Sequence, residues 1–552
     1  MLKPSLLVIT LSLMFSSKAQ LVDANATEAT KNLYINLQQI AKANLLFGHE
    51  DALAYGLNEN GSRWIDEDDR SDTKSITGSH PAVYGWDIGR LEVEDSAANI
   101  DDVNFERMKF WIRKGHEGGG IITISWHSNN PQTGGNTWDN GGRAVSHILP
   151  GADKHDLYKK WLDKVADFAL DLKDASGNYI PILFRPYHEH TGSWFWWGKN
   201  ACTADEYIDL WRFTVNYFRD VKNIHHFIYT YSPSDVRSVS EYLERYPGDD
   251  YVDVLSTDDY SNIYSKNQKT SFLKNLKLIV DLANQKGKIS ALTETGYEKV
   301  PDPEWFSSII VEPIKADPIA RQISYFLVWR NGRPDHYFSA HPGHQSANDL
   351  VKIYDDPFVN FENHLPNLYK ENTVEIIADI PDFVFNYSQD SIGKFDLSTH
   401  FKDDTDDLVF ELVFQSNDDI GTVEISDSDE LTIQVKDQDA EGVIRVRGTN
   451  SSGLYRELMF MIRVNRSGGS SALSLEAKDV IVSPNPFTDR INVDATKKFT
   501  SYRLINSEGK IVSESSHWKK DNINLNSNLA TGLYFLVLAR GNKSIIKRVI
   551  KN

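Results

Sequence analysis

The chain is 552 residues long, and at about 150 residues per domain that points to two to four domains. Its formal net charge of -19 speaks against a nucleic-acid or anionic-membrane partner, because the summed field of the protein repels a polyanion. The single cysteine, Cys202, excludes an intramolecular disulfide, so a large apolar core must supply the stability.

Residues 1–19 read as a signal peptide: Lys3 precedes an apolar run from Leu6 to Phe15, and Ser17-Lys18-Ala19 has the small-x-small pattern of a cleavage site. The run is too short to span a bilayer and no later stretch reaches about 18 consecutive apolar residues. A secreted protein without a transmembrane segment is expected, passing through the periplasm to the exterior or the cell surface.

Residues 20–370 alternate strand-like apolar runs with helical periodicity, the pattern of parallel strands and crossover helices. Eight strands are predicted, at 44–48, 81–86, 120–126, 179–185, 226–231, 251–256, 288–294 and 324–329. Between them, Leu157, Trp161, Val165, Phe168 and Leu172, then Leu210, Trp211, Val215 and Phe218, mark core-facing helix stripes. HEGGG (116–120) reads as a helix-ending turn. An α/β fold, the (β/α)8 TIM barrel, is the economical reading, and such barrels place their chemistry at the C-terminal strand ends. Those ends hold His49-Glu50-Asp51, Asp87, His127, His188-Glu189, Asp258-Asp259-Tyr260, Glu294 and Trp329-Arg330-Asn331.

From 371 to 465 the chain alternates apolar and polar residues without helical periodicity, which predicts a small antiparallel β-sandwich of immunoglobulin or cadherin type. It carries 21 Asp and Glu against 7 Lys and Arg. Its DDTDD stretch (403–407) reads as a solvated acidic loop, since EF-hand spacing is absent, with calcium as the alternative. A Ser/Gly-rich linker occupies 466–479, and 480–552 is again β-patterned but basic, with 12 Lys and Arg against 5 Asp and Glu.

Glu189 and Glu294 each close an apolar strand. Burial beside aromatics raises a carboxyl pKa and a flanking cation lowers it, so two such groups can diverge into an acid and a nucleophile, as glycoside hydrolysis requires. Trp86, Trp126, Trp138, Trp194, Trp196, Trp197, Tyr260 and Trp329 offer flat apolar faces for sugar rings, and His127, Asn129, Asn130, Gln132 and Asn136 offer hydrogen bonds for hydroxyls. The competing reading of each Glu is a strand-end salt bridge, for example to Arg185 or Arg330. Zinc held by His49, His127, His188 and His190 is disfavoured because no HExxH or Cys/His spacing exists.

The stretches LFGHEDALAYG (46–56), YGWDIG (84–89), ISWHSNNPQTGG (124–135), FRPYHEHTGSWFWWG (184–198), STDDY (256–260), LTETG (292–296) and FLVWRN (326–331) together resemble glycoside hydrolase family 26, the secreted β-mannanases. The resemblance implies retaining hydrolysis of β-1,4-mannosidic bonds in mannan, glucomannan or galactomannan, with no cofactor and no metal. It implies Glu189 as general acid/base and Glu294 as nucleophile, His127 and His188 around the reacting sugar, and Tyr260 orienting the nucleophile. Trp194 would wall the sugar site and Trp329 would floor it, with Arg185, Trp197 and Asp258 among the substrate-binding set. His190-Thr191 departs from some relatives. The family also holds β-1,3-xylanases and mixed-linkage β-glucanases, and a non-catalytic polysaccharide-binding protein on the same barrel is the rival from another class. VSPNPFTDRINV (482–493), GLYFLVL (532–538) and KSIIKRVIKN (543–552) resemble the C-terminal sorting domain of the type IX secretion system of Bacteroidetes, a small β-sandwich, which implies the secretion machinery as a partner. The protein is expected to act as a monomer.

Overall fold

Apolar runs without polar alternation require burial on both faces, and all eight predicted runs become parallel strands buried along their length. The computed structural model describes residues 21–41, 44–317, 319–387, 391–404, 407–415, 417–466 and, between 480 and 551, chiefly the strand residues. The predicted signal peptide and all of the linker after Arg466 lie outside the described residues. The chain divides into two units, Met1–Lys370 and Glu371–Asn552.

In the first unit the strands are β1 (Leu45–Glu50), β2 (Val83–Asp87), β3 (Ile121–Trp126), β4 (Ile182–Pro186), β5 (Phe227–Tyr231), β6 (Val254–Asp259), β7 (Ile289–Thr295) and β8 (Tyr325–Val328). Each pairs in parallel with the next, and β8 returns to β1 in the register Leu46↔Tyr325 to His49↔Val328, which closes the barrel. A short strand not predicted, β9 (Val359–Asn360), adds to the start of β1. Two predicted strands shift. Tyr179 bridges to Lys173 and stacks on His226, so β4 begins at Ile182. Asp249–Tyr251 form a 3-10 turn, so β6 starts later and carries Asp258 and Asp259 within the strand.

The helices bury the faces that their apolar spacing dictates, with one change. Helix His155–Asp171 buries Tyr158, Leu162, Val165, Ala166, Phe168 and Ala169, while Leu157 is exposed. Val165, Phe168 and Leu172 are buried as predicted, and only in the first two turns do Tyr158 and Leu162 replace Leu157 and Trp161 in the core, the Tyr158 hydroxyl meeting that of Tyr187 beneath the end of β4. Helix Ala204–Asn216 buries Leu210, Trp211 and Val215 as expected. Helix Phe105–Glu117 ends at Gly118, and Gly119 takes a φ of 91° that other residues avoid, so HEGGG is the turn predicted.

The second unit is all β. A four-stranded sheet (Phe383–Asn386, Tyr455–Asn465, Ala440–Thr449, Val409–Gln415) and a three-stranded sheet (Ile392–Asp396, Glu430–Val435, Gly421–Ile425) enclose Ile380, Leu431, Ile433, Ile444 and Phe460, giving a β-sandwich. It is not wholly antiparallel as predicted. Phe383–Asn386 runs parallel to Tyr455–Asn465, because the first strand of the sheet enters along the last in the same direction. The stretch 422–436 is a hairpin turned at Asp429, whose φ is 63°. Of DDTDD, Asp403 is buried and accepts hydrogen bonds from Thr373 and Asn450, whereas 405 and 406 lie outside the described residues. The C-terminal strands form two further sheets around Phe487, Ile491, Leu504, Trp518, Leu536 and Leu538. Among the described residues no helix is long and apolar enough to cross a membrane.

Candidate active site

Pro186 ends β4 because it has no N–H to continue the ladder. Immediately beyond it, Tyr187 (φ 51°) and Glu189 (φ 53°) adopt left-handed backbone, which costs energy for residues with a Cβ and persists only where the surroundings enforce it. Those surroundings are the Tyr187 hydroxyl, held by Tyr158 and by Thr214 at 2.7 Å, and the Glu189 N–H, which donates to Ser232 O at 2.8 Å. The turn presents the Glu189 carboxyl at the barrel mouth, where Oε2 accepts the indole N–H of Trp194 at 2.7 Å.

Glu294 reaches the same place from the end of β7. Its Oε2 accepts from the Tyr260 hydroxyl at 3.1 Å, and its Oε1 accepts from the Arg185 guanidinium. Arg185 also donates to Asp258 Oδ2 at 2.9 Å, and Asp258 accepts from Thr293 Oγ1 at 2.7 Å and from Ser232 Oγ at 3.2 Å. One carboxylate oxygen from each of Glu189, Asp258 and Glu294 lies within 4.8 Å of the others. Three acidic groups so close would also suit a cation, but the Arg185 guanidinium already holds that position for two of them.

The two glutamates have different partners. Burial pushes the Glu189 carboxyl well above the usual range, and the negative charges of Asp258 and Glu294 add to the effect against the Trp194 hydrogen bond and the pull of Arg185. Among the described residues no guanidinium is paired with Glu189. Glu294 takes its hydrogen bonds from a guanidinium and a phenol.

His127 follows β3. Its Nδ1 lies 2.8 Å from Asp87 Oδ2, and its Nε2 is 3.1 Å from His188 Nε2. Burial opposes charge on His127, but Asp87 more than offsets this and its pKa is raised. Burial and the neighbouring His127 push that of His188 well below the ordinary value. When His127 is protonated, its two N–H groups can donate to Asp87 on one side and to His188 on the other. Around the His127 ring lie Trp138 at 5.7 Å, Phe195 at 5.3 Å and Trp329 at 6.3 Å between centroids. Trp138 and Trp194 are 51% and 43% exposed, and Trp329 is half-buried, so these three present ring surface to a ligand.

The structure thus brings Arg185, His127, His188, Glu189, Trp194, Asp258, Tyr260, Glu294 and Trp329 to one end of the barrel. Arg185, His188 and Asp258 lie beneath the mouth, each almost wholly buried. Trp197 is corrected: it is 0% exposed, stacks on Phe195 and donates its indole N–H to His188 O at 2.7 Å, so it fixes the loop and offers no face to a sugar. Trp196, Trp86 and Trp126 are core as well. Alternate residues of a barrel strand face opposite sides, so with Asp87 turned to the mouth Trp86 must point outward, where it stacks on Trp111 at 6.0 Å. Asn130 is occupied in its own loop, donating to Asp139 O and Gly141 O. The four histidines of the zinc reading part company, since His190 binds Tyr231 and Tyr207, and His49 faces Thr73.

Sequence reasoning missed Asp101 and Tyr55. Asp101 pairs with Arg330 at 2.6 Å, and Arg330 also reaches the hydroxyl of Tyr55, which binds Asp51. Neither closes a barrel strand: Asp101 lies in the loop after β2, and Tyr55 opens a short hairpin after β1.

Residues 22–363 match the family model described as glycosyl hydrolase family 26, and residues 482–552 match that of the secretion system C-terminal sorting domain. Among characterised relatives, a mannan endo-1,4-β-mannosidase of Bifidobacterium adolescentis is 37% identical over 283 residues, which is 50% of this chain and 27% of that protein. The chain thus spans about a quarter of that relative's length. Among solved structures, the β-mannanase BoMan26A of Bacteroides ovatus is 40% identical with a TM-score of 0.59, covering 62% of this chain and 98% of that one. A modular endo-β-1,4-mannanase of Cellulomonas fimi is 28% identical with a TM-score of 0.58, covering 82% of this chain and 100% of that one.

Proposed function

The chain belongs to glycosyl hydrolase family 26, and from that premise we propose that it is a secreted endo-β-1,4-mannanase acting with retention through Glu189 and Glu294. The observation that carries this reading is the carboxyl pair, with oxygens within 4.8 Å of each other at the mouth of one barrel. Two carboxyl groups facing one space supply what retaining hydrolysis needs, one to attack the anomeric carbon and one to protonate the leaving oxygen. The match of residues 482–552 to a secretion sorting domain accounts for export.

In the first step the Glu189 carboxylic acid gives its proton to the glycosidic oxygen while a Glu294 oxygen attacks the anomeric carbon. The carbon–oxygen bond to the leaving sugar breaks and a glycosyl ester forms. In the second step the Glu189 carboxylate takes a proton from water, the water oxygen attacks the same carbon, and the ester bond breaks to regenerate Glu294. Arg185 and Tyr260 orient Glu294 for attack and receive its charge again when the ester cleaves. Glu189 suits the acid role because burial keeps its proton on above the usual carboxyl range. His127, Trp138, Trp194 and Trp329 surround the space above the pair, where apolar sugar faces can stack and hydroxyls can meet the imidazole.

Reducing-end release from mannan, lichenan and β-1,3-xylan tests the substrate. Mannan is expected to be cleaved at least about tenfold faster, a margin of about 1.4 kcal/mol in barrier. A preference for either other glycan would make the protein a β-glucanase or β-xylanase, and a wild type that binds mannan without cleaving it would be a binding protein.

The Trp194 hydrogen bond tests the acid. Its N–H stabilises the charged form of Glu189 and so draws the pKa down. Trp194→Phe removes that donor, Glu189 keeps its proton to higher pH, and the alkaline limb of kcat/KM moves up. A limb that stays in place or moves down would show that Glu189 is not the group titrating there.

A further inference from the structure

Gly296 lies two residues beyond Glu294, with a φ of 155°. A Cβ there would come within 2.8 Å of Phe338 Cδ1, so the absence of a side chain lets the Phe338 ring settle flush against the end of β7. From that seat Phe338 meets the ring of Tyr260 edge to face, with centroids 6.1 Å apart and planes at 75°. Tyr260 is the residue whose hydroxyl donates to Glu294 Oε2.

Phe338 is itself held from two directions. Its N–H and that of Ser339 donate to Asn331 Oδ1, and the Asn331 amide donates to Asp72 Oδ2 at 2.8 Å, a buried carboxylate that also accepts from Trp64 Nε1 and Leu57 N. On the other side Lys299 N donates to Tyr337 O at 2.7 Å, and His336 Nδ1 lies 2.9 Å from Glu298 Oε1. The loop after β8 is thereby tied both to the hairpin after β1 (Tyr55–Leu57 with Arg63–Ile65) and to the loop after β7.

We propose that Phe338 is a positioning residue for the nucleophile: its ring edge fixes the tilt of Tyr260, and Tyr260 in turn holds Glu294 in line for attack. The proposal rests on Glu294 being the nucleophile. Tyr260 is half-buried, and its hydroxyl serves Glu294 only while its ring keeps the tilt that Phe338 packs against. Phe338 supplies the missing wall from a loop that contributes no reacting group.

The test is a double-mutant cycle on mannan hydrolysis with Phe338→Ala and Tyr260→Phe. Phe338→Ala is expected to lower kcat about 2- to 10-fold, the range an edge-to-face pair supports, with KM unchanged. Phe338→Tyr, which keeps the ring edge, is expected to restore the rate. In the Tyr260→Phe background the same Phe338→Ala change is expected to cost less than about 1.5-fold, because the hydroxyl it served is gone. Phe338→Leu keeps apolar bulk without a ring edge and carries the same expectation, and thermal unfolding followed in parallel keeps the cycle decidable if the alanine variant folds poorly. A raised KM with kcat unchanged would place the ring against the sugar instead, and losses that multiply in the double variant would show that Phe338 does not act through Tyr260. Either result overturns the proposal. Mannan hydrolysis surviving in Glu294→Ala would sink the reading of the nucleophile itself, while an inactive Glu294→Ala with a multiplicative cycle sinks the role of Phe338 alone.

Discussion

Glu294→Ala is expected to lower kcat/KM on mannan by at least about 10⁴-fold, a loss of about 5.5 kcal/mol of transition-state stabilisation. On the proposed mechanism the variant has no enzyme nucleophile for the anomeric carbon and forms no intermediate ester. Wild type quenched during turnover of a substrate with a good leaving group should therefore gain the mass of one glycosyl unit, and the variant should not. The variant leaves Arg185 paired with Asp258, so the buried guanidinium keeps one carboxylate partner and the fold should survive. Glu294→Gln, which preserves shape and a contact for the Tyr260 hydroxyl, should be equally inactive. Azide added to Glu294→Ala should enter the vacated space and give the α-glycosyl azide, the inverted product. Activity within about tenfold of wild type in either variant would remove Glu294 from the chemistry.

Glu189→Ala should differ in kind. On mannan, whose sugar leaving group needs a proton, kcat/KM should fall about 10²- to 10⁴-fold, the usual contribution of a general acid. On an aryl β-mannoside with a good leaving group the first step should lose little, the second should become limiting for want of a base, and KM should drop as the ester accumulates. Azide needs no base, so it should restore turnover and give the β-glycosyl azide, with configuration retained. Equal losses with and without azide would contradict the acid/base role. The α product from Glu294→Ala and the β product from Glu189→Ala together distinguish the nucleophile from the acid, since the face of attack depends on which carboxyl is missing.

The strand ends were the legible part of the site. Glu189 and Glu294 each close an apolar run, and a parallel barrel forces the C-terminal ends of its strands to one rim, so their convergence follows from topology once the eight runs are read. Trp197 shows where that reasoning stops. In Trp194-Phe195-Trp196-Trp197 the four rings are alike in sequence, and only the loop path decides that Trp194 stands in the mouth while Phe195, Trp196 and Trp197 pack the floor beneath it. Phe338 shows the same limit from the other side. It sits in an unremarkable loop with no chemistry of its own, 78 positions after the Tyr260 it touches.

The sequence by itself determined the barrel, the sandwich architecture that follows it, the pair of carboxyl groups and the aromatic character of the mouth. Period and composition are local properties, and burial of apolar runs leaves few alternatives. The tertiary structure alone decided which of the two carboxyl groups Arg185 pairs with. Arg185 lies four residues from Glu189 in sequence, yet it donates to Glu294, 109 positions away, because β4 turns Arg185 inward while the left-handed backbone at Tyr187 and Glu189 turns the Glu189 carboxyl to the Trp194 indole. A pKa depends on which neighbours share a low-dielectric space and not on which share a stretch of chain.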